Sequence, residues 1–172
     1  MRLMPANQRG NGRFAEGPLI DEVNLRLLAE LQDDARLSLA ELGRRAGLSP
    51  PAVAERLGRL ERQGVIRAYR AEVDPRALGL HLTAIIRVRP APGQLQNVAE
   101  RARATPEVVD CTRVTGDDCF VMTAHLRDVG HLEEVIDRFA VLGQTTTSIA
   151  QSSPVPRRGL ALDANALRVT TT

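Results

Sequence analysis

Residues 38–66 read SLAELGRRAGLSPPAVAERLGRLERQGVI, and this stretch decides the fold of the first half of the chain. Ser38 suits a helix N-cap, with Glu41 three residues later to complete a capping box. Leu39, Leu42 and Ala46 then recur at helical spacing as a buried stripe. Gly47 supplies the turn, because a left-handed residue is easiest for glycine. Leu48 plugs the corner, Ser49 caps the next helix, and Pro50 takes its first position, where a missing N–H costs nothing. Val53, Leu57 and Leu60 line one face of this helix, and Gly64 ends it. Two short helices joined by a tight turn form a helix-turn-helix, which lays its second helix in a DNA major groove.

Outward from this motif, apolar Ile20, Val23, Leu27, Leu28 and Leu31 predict an earlier helix from Leu19 to Asp33. After Gly64 the period changes. Residues 65–73 alternate like a strand up to Asp74-Pro75, which predicts a linker strand over 67–80. Strands are expected at 82–89, 108–114, 120–126 and 145–151, with helices at 94–104 and 130–142. The order β-α-β-β-α-β is the ferredoxin-like signature. The fold class is therefore α+β, with a helix-turn-helix domain at 18–66 and a ferredoxin-like domain at 81–153. Residues 1–17 are polar and glycine-rich and read as a disordered extension; 154–172 read as a partly disordered tail.

Charge follows the same division. Residues 36–70 hold eight arginines against three glutamates, whereas the rest of the chain carries a net −3. A basic block on a weakly acidic body suits a nucleic-acid partner. No run approaches the roughly 18–20 apolar residues of a membrane span, and no secretory signal opens the chain. Cys111 and Cys119 match no metal motif, and free thiols suit a cytoplasmic protein. His81, His125 and His131 are scattered over different elements, so neither a metal nor another cofactor is expected. No phosphate loop or nucleophile elbow appears, which argues against an enzyme. One Tyr, three Phe and no Trp leave little for stacking on single strands.

With Val53 facing the core, Pro51, Glu55, Gly58, Arg59 and Arg62 face away, and Ala52 and Arg56 lie on the flanks. Small residues at the helix start permit close approach to base edges, and alanine can touch a thymine methyl. The candidate DNA contacts are Arg44, Arg45, Ser49, Pro51, Ala52, Glu55, Arg56, Arg59 and Arg62, with Arg44 and Arg45 assigned to phosphate. The plainer reading makes these arginines a solvated face paired to Glu41, Glu55 and Glu61.

Motifs along residues 19–150 carry a wider resemblance. They are Ile20-Asp21-Glu22-Val23-Asn24, Leu27-Leu28, Leu31-Gln32, Ala35-Arg36, Leu48-Ser49-Pro50, Arg56-Leu57, Gly64-Val65-Ile66, Asp74-Pro75, Leu78-Gly79-Leu80, Pro106-Glu107-Val108, Cys111 and Val114-Thr115-Gly116-Asp117. At this spacing the chain closely resembles the Lrp/AsnC family, the leucine-responsive and feast/famine transcriptional regulators. The resemblance implies a winged helix-turn-helix reader, a ligand-sensing domain, and dimers through the sheets that assemble as tetramers of dimers. It also implies an effector pocket between dimers at the turn after the second strand. That turn is Val114-Thr115-Gly116-Asp117-Asp118-Cys119, with Gln144, Thr145 and Thr146 as further candidates. The family pattern there is Gly-Asp-Tyr-Asp. This chain keeps Gly116 and Asp117 but carries Asp118 and Cys119 in place of the aromatic and the second acid. A thiol pairs poorly with an ammonium group, so the departure bears on any amino-acid effector. Read without the resemblance, Gly116-Asp117-Asp118 is a hairpin turn and the threonines are ordinary strand formers.

The reading is a sequence-specific regulator of transcription. Its partners would be double-stranded DNA, further copies of itself and a small-molecule effector such as an amino acid; no membrane is involved. The alternative from a different class is a metabolite-binding assembly module without specific DNA binding.

Overall fold

The computed structural model describes residues 19–162 and divides them into two compact units. One holds the residues up to Arg70 together with those from Arg157 onward; the other runs from Ala71 to Pro156. The expectation for residues 1–17 lies outside the described residues, as does the tail beyond 162.

The first unit is built from α1 (Glu22–Asp33), α2 (Leu39–Ala46) and α3 (Pro50–Arg62). Leu27, Leu42, Ala46, Val53, Leu57 and Leu60 form its core. Each of the leucines and the valine contributes roughly 1.5–3 kcal/mol when fully buried, and the single methyl of Ala46 contributes less. Two expected core positions are instead open: Ile20 precedes the helix and is 37% exposed, and Leu39 is 41% exposed. Asn24 and Leu25 are buried in α1 instead. Asp21 caps α1 by accepting from the Asn24 N–H at 2.6 Å. The α3 C-terminus closes as expected, with Val65 N–H donating to the Leu60 carbonyl at 2.9 Å across Gly64.

The linker strand expected over 67–80 is not formed. Residues 67–74 enter no ladder, and Pro75–Leu78 is a short 3-10 helix opened by Asp74, whose carboxylate accepts from the Arg76 N–H. Alternation alone cannot make a strand where no second strand hydrogen-bonds to it. The Tyr69 hydroxyl instead donates to Glu61 at 2.9 Å, which holds this segment against α3.

The second unit follows the expected order: β1 (Leu82–Pro90), α4 (Leu95–Ala104), β2 (Val108–Arg113), β3 (Phe120–Leu126), α5 (Val129–Ala140) and β4 (Gly143–Ile149). The sheet order is β2-β3-β1-β4, and every pairing is antiparallel. Strict alternation puts Ala84, Ile86 and Val88 of β1, and Phe120, Met122, Ala124 and Leu126 of β3, on one face. That face packs on Val98 and Ala102 of α4 and Leu132, Val135 and Phe139 of α5. The opposite face presents Thr83, Ile85, Arg87, Val121, Thr123 and His125, and neither helix covers it. Buried His131 anchors α5: its Nε2 lies 2.9 Å from Glu107, which Arg138 also binds at 3.1 Å. Burial raises the Glu107 pKa, but hydrogen bonds from His131 and Arg138 outweigh it and hold the carboxyl below its ordinary value.

Candidate nucleic-acid interface and effector site

The helix-turn-helix depends on one close approach that the sequence motif does not advertise. The Leu48 N–H donates to the Gly43 carbonyl at 2.8 Å, and a Cβ on Gly43 would fall 2.5 Å from the Leu48 carbonyl oxygen. A glycine one turn inside α2 is therefore what lets the corner fold onto it. Gly47 follows in the left-handed region at φ 71°. Ser38 caps α2 as expected, accepting from the Glu41 N–H at 3.2 Å. The reciprocal half of the box is absent because the Glu41 carboxylate is bound elsewhere.

Glu41 accepts from Arg44 at 2.6 and 2.8 Å and from Arg45 at 2.7 Å, and Arg45 also reaches Glu30 at 2.6 Å. These hydrogen bonds hold the Glu41 carboxyl down at about 2. Arg44 and Arg45 thus sit on the surface with part of their charge already balanced.

On α3, Ser49 occupies the N-cap position without a side-chain capping bond. Pro50 and Pro51 remove two of the orphan N–H groups at this helix start, so less capping is needed there than at α2. Pro51, Glu55 and Arg62 are exposed, and Ala52 and Arg59 are half-buried. Arg56 is placed differently. Its Nη1 donates to Asp21 at 2.7 Å and to the Asn24 side-chain oxygen at 3.0 Å. Asn24, itself 1% exposed, donates onward to the Leu19 carbonyl at 2.8 Å. Burial raises the Asp21 pKa, yet the Arg56 and Asn24 hydrogen bonds prevail and leave it lowered. Arg56 therefore ties the middle of α3 to the start of α1. Its place on the flank of the helix, beside the core face, was the available signal.

In the second unit, the turn between β2 and β3 is closed by the Val114 N–H donating to the Cys119 carbonyl at 2.9 Å. Asp117 and Asp118 meet two arginines that sequence reading missed. Arg89 lies 3.0 Å from the Asp117 carboxylate and donates from Nε to the Asp117 carbonyl at 3.0 Å. Arg87 Nε stands 3.8 Å from Asp118, shielded from solvent and without a hydrogen-bond partner. The alternating Arg87-Val88-Arg89 was the signal, since period two sends both arginines to one face. Register then sets Thr146 opposite Arg87 and Gln144 opposite Arg89, so two separate candidate segments meet across β1. Two candidates leave this group. Thr145 pairs with buried Val88 and so belongs to the helix-covered face, and Cys119 packs against the core of the unit. Thr115 and Gly116 are exposed and Val114 is half-buried.

Among the described residues, no helix is long and apolar enough to cross a membrane. No group of three or more His, Cys, Asp or Glu among them is placed to hold a metal ion.

Comparison with known proteins matches both units. The AsnC-type helix-turn-helix domain matches residues 20–61, and the Lrp/AsnC ligand binding domain matches residues 83–160. The chain is 31% identical to the HTH-type transcriptional regulator LrpC of Bacillus subtilis over 140 residues, 81% of this chain and 97% of that one. The solved structure of B. subtilis LrpC superposes with a TM-score of 0.77 at 30% identity, covering 80% of this chain and 99% of LrpC. A feast or famine regulatory protein from M. tuberculosis, solved with L-methionine, superposes with a TM-score of 0.77 at 31% identity, covering 81% and 97%.

Proposed function

Because the chain belongs to the Lrp/AsnC family of transcriptional regulators, we propose that it reads DNA through α3 and that a small effector, an amino acid, tunes this reading from the β2–β3 turn. The observation that carries the DNA half is the start of α3, where exposed Ser49 and Pro51 and half-buried Ala52 present little bulk to an approaching base edge, with exposed Glu55 one turn on. Arg59 and Arg62 serve base or phosphate, and Arg44 and Arg45 serve phosphate as Glu41 yields them. Arg56 acts as a brace and does not touch DNA. The chain works by binding, with no catalytic step, in the compartment that holds the DNA, the cytoplasm.

The effector reading rests on the Arg87, Arg89, Asp117 and Asp118 group beside Gln144 and Thr146, with Val114, Thr115 and Gly116 shaping the turn. It offers charges of both signs, as a zwitterion needs: carboxylates for an ammonium group, and the partly exposed guanidinium groups of Arg87 and Arg89 for a carboxylate. A relative of this fold is solved with L-methionine, which supports an amino acid as the ligand class. Assembly through the open sheet face into dimers, and of dimers into tetramers of dimers, completes the reading.

The test is fluorescence anisotropy on DNA upstream of the chain's own gene against scrambled DNA, with and without a pool of the twenty amino acids. Selective binding that weakens steeply with salt and moves with the pool is expected. Amino-acid binding without any DNA preference, across a genome-wide selection, would overturn it in favour of the metabolite module.

A further inference from the structure

Helix α1 carries an attachment that the proposed function does not use. The Gln32 carboxamide brackets the backbone of Leu160: its Oε1 accepts from the Leu160 N–H at 2.6 Å, and its Nε2 donates to the Leu160 carbonyl at 3.0 Å. One side-chain amide thus imitates a strand partner and satisfies both polar groups of a residue 128 positions away. Gly159 lies against the same carboxamide. A Cβ there would come within 2.8 Å of Gln32 Cδ and Oε1 and 3.1 Å of its Cβ, so a side chain at 159 displaces the amide from Leu160. Leu25, two turns before Gln32 on the same stripe of α1, is buried without joining the three-helix core.

The path of the chain gives this contact its meaning. The polypeptide leaves the helical unit after Arg70, builds the sheet unit, and returns at Arg157. Within the sheet unit, β1 begins beside the end of β4: Ala84 pairs with Ile149, and the Ala150 N–H donates to the Thr83 carbonyl at 2.9 Å. Both connections therefore leave the sheet from one end.

We propose that residues 157–162 are a clasp, with Gln32 as its catch, that fastens the C-terminal segment to α1 and gives the helix-turn-helix unit a second attachment to the sheet unit. The clasp closes residues 71–156 into one loop whose two ends both start from the helical unit. A change at the exit of β4 then acts on the reading unit through the clasp as well as through the linker.

The full chain is compared with Gln32→Ala and, independently, Gly159→Val. Alanine is a good helix former, so the first leaves α1 intact; the second leaves the helical core untouched. Arg157 and Arg158 are exposed trypsin sites just before the clasped residue, and cleavage requires the segment to come off α1. Both variants are expected to raise cutting there about ten-fold and to speed exchange of the Leu160 amide by a similar factor. Parent-like rates of cutting and exchange in both variants would overturn the clasp. DNA affinity is expected to fall a few-fold at an unchanged salt slope. A slope reduced by about two would assign Arg157 and Arg158 to DNA phosphate and overturn the proposal in that form. The protease and exchange readouts need no DNA, so they stand apart from the DNA-reading assignment.

Discussion

Single residues carry the sharpest distinctions in this molecule, and Arg56 is the first. Its guanidinium satisfies Asp21 and the buried Asn24, with the Arg56 and Asp21 side chains 34% and 29% exposed. Arg56→Met strands both partners and is expected to lower stability by about 1–3 kcal/mol, less than for a fully buried pair because water still screens this one. Once corrected for folding, the salt slope of DNA binding stays at the parent value; a slope reduced by about one, read by anisotropy across salt, would mean that Arg56 touches phosphate. Glu41 acts in the opposite sense. It holds two arginines on the surface, and its carboxyl, at about 2, stays ionised through the physiological range. Glu41→Gln is expected to tighten binding to any DNA by about three- to ten-fold at ~0.1 M salt, because one negative charge leaves the basic face. Equal affinity of variant and parent in a salt titration would remove Arg44 and Arg45 from the phosphate-binding set.

The elements were legible wherever the pattern was local. The α3 stripe Val53, Leu57, Leu60 and the β1 and β3 alternations are all buried as their spacing demands. Local spacing says nothing of what a neighbouring element will cover, which is why Leu39 is exposed and Leu25 buried. It also says nothing of whether a strand-like run finds a partner, and residues 67–74 do not. The turn between α2 and α3 shows the same limit. Gly47 is conspicuous in sequence, while Gly43 hides as an ordinary helix interior. Yet it is at Gly43 that the Leu48 carbonyl oxygen would stand only 2.5 Å from a side-chain Cβ. Gly43→Ala is expected to destabilise the helical unit by about 1–3 kcal/mol despite alanine's better helix propensity. Chemical denaturation checks this: a variant as stable as the parent would mean that the corner relaxes freely.

At the scale of the whole molecule, the question is what covers the open sheet face. Ile85 and Val121 sit at its centre among Thr83, Thr123 and His125, and α4 and α5 occupy only the other side. If copies pair through this face, light scattering finds the parent as a dimer or larger. Ile85→Asp is then expected to yield monomers at micromolar concentration, since a carboxylate is costly to bury unpaired. The sheet unit should still melt cooperatively, at a temperature lowered only by the lost association and no longer dependent on concentration, because residue 85 points away from the helical core. An unchanged assembly would move the contact elsewhere on the chain.

The two-part α+β plan, the helix-turn-helix and the β-α-β-β-α-β order can all be read along the chain. Each is written in short-range periodicity, caps and turn residues, which act between neighbours along the chain. Tertiary structure alone decided which polar groups meet. It turned Arg56 inward to Asp21 and Asn24, brought Arg87 and Arg89 beside Asp117 and Asp118, separated Thr145 from Gln144 and Thr146, and set Leu160 in the grasp of Gln32. The physical reason is range: a charged or amide side chain is satisfied by whatever partner packing delivers within about 3 Å, and that partner can lie anywhere in the chain.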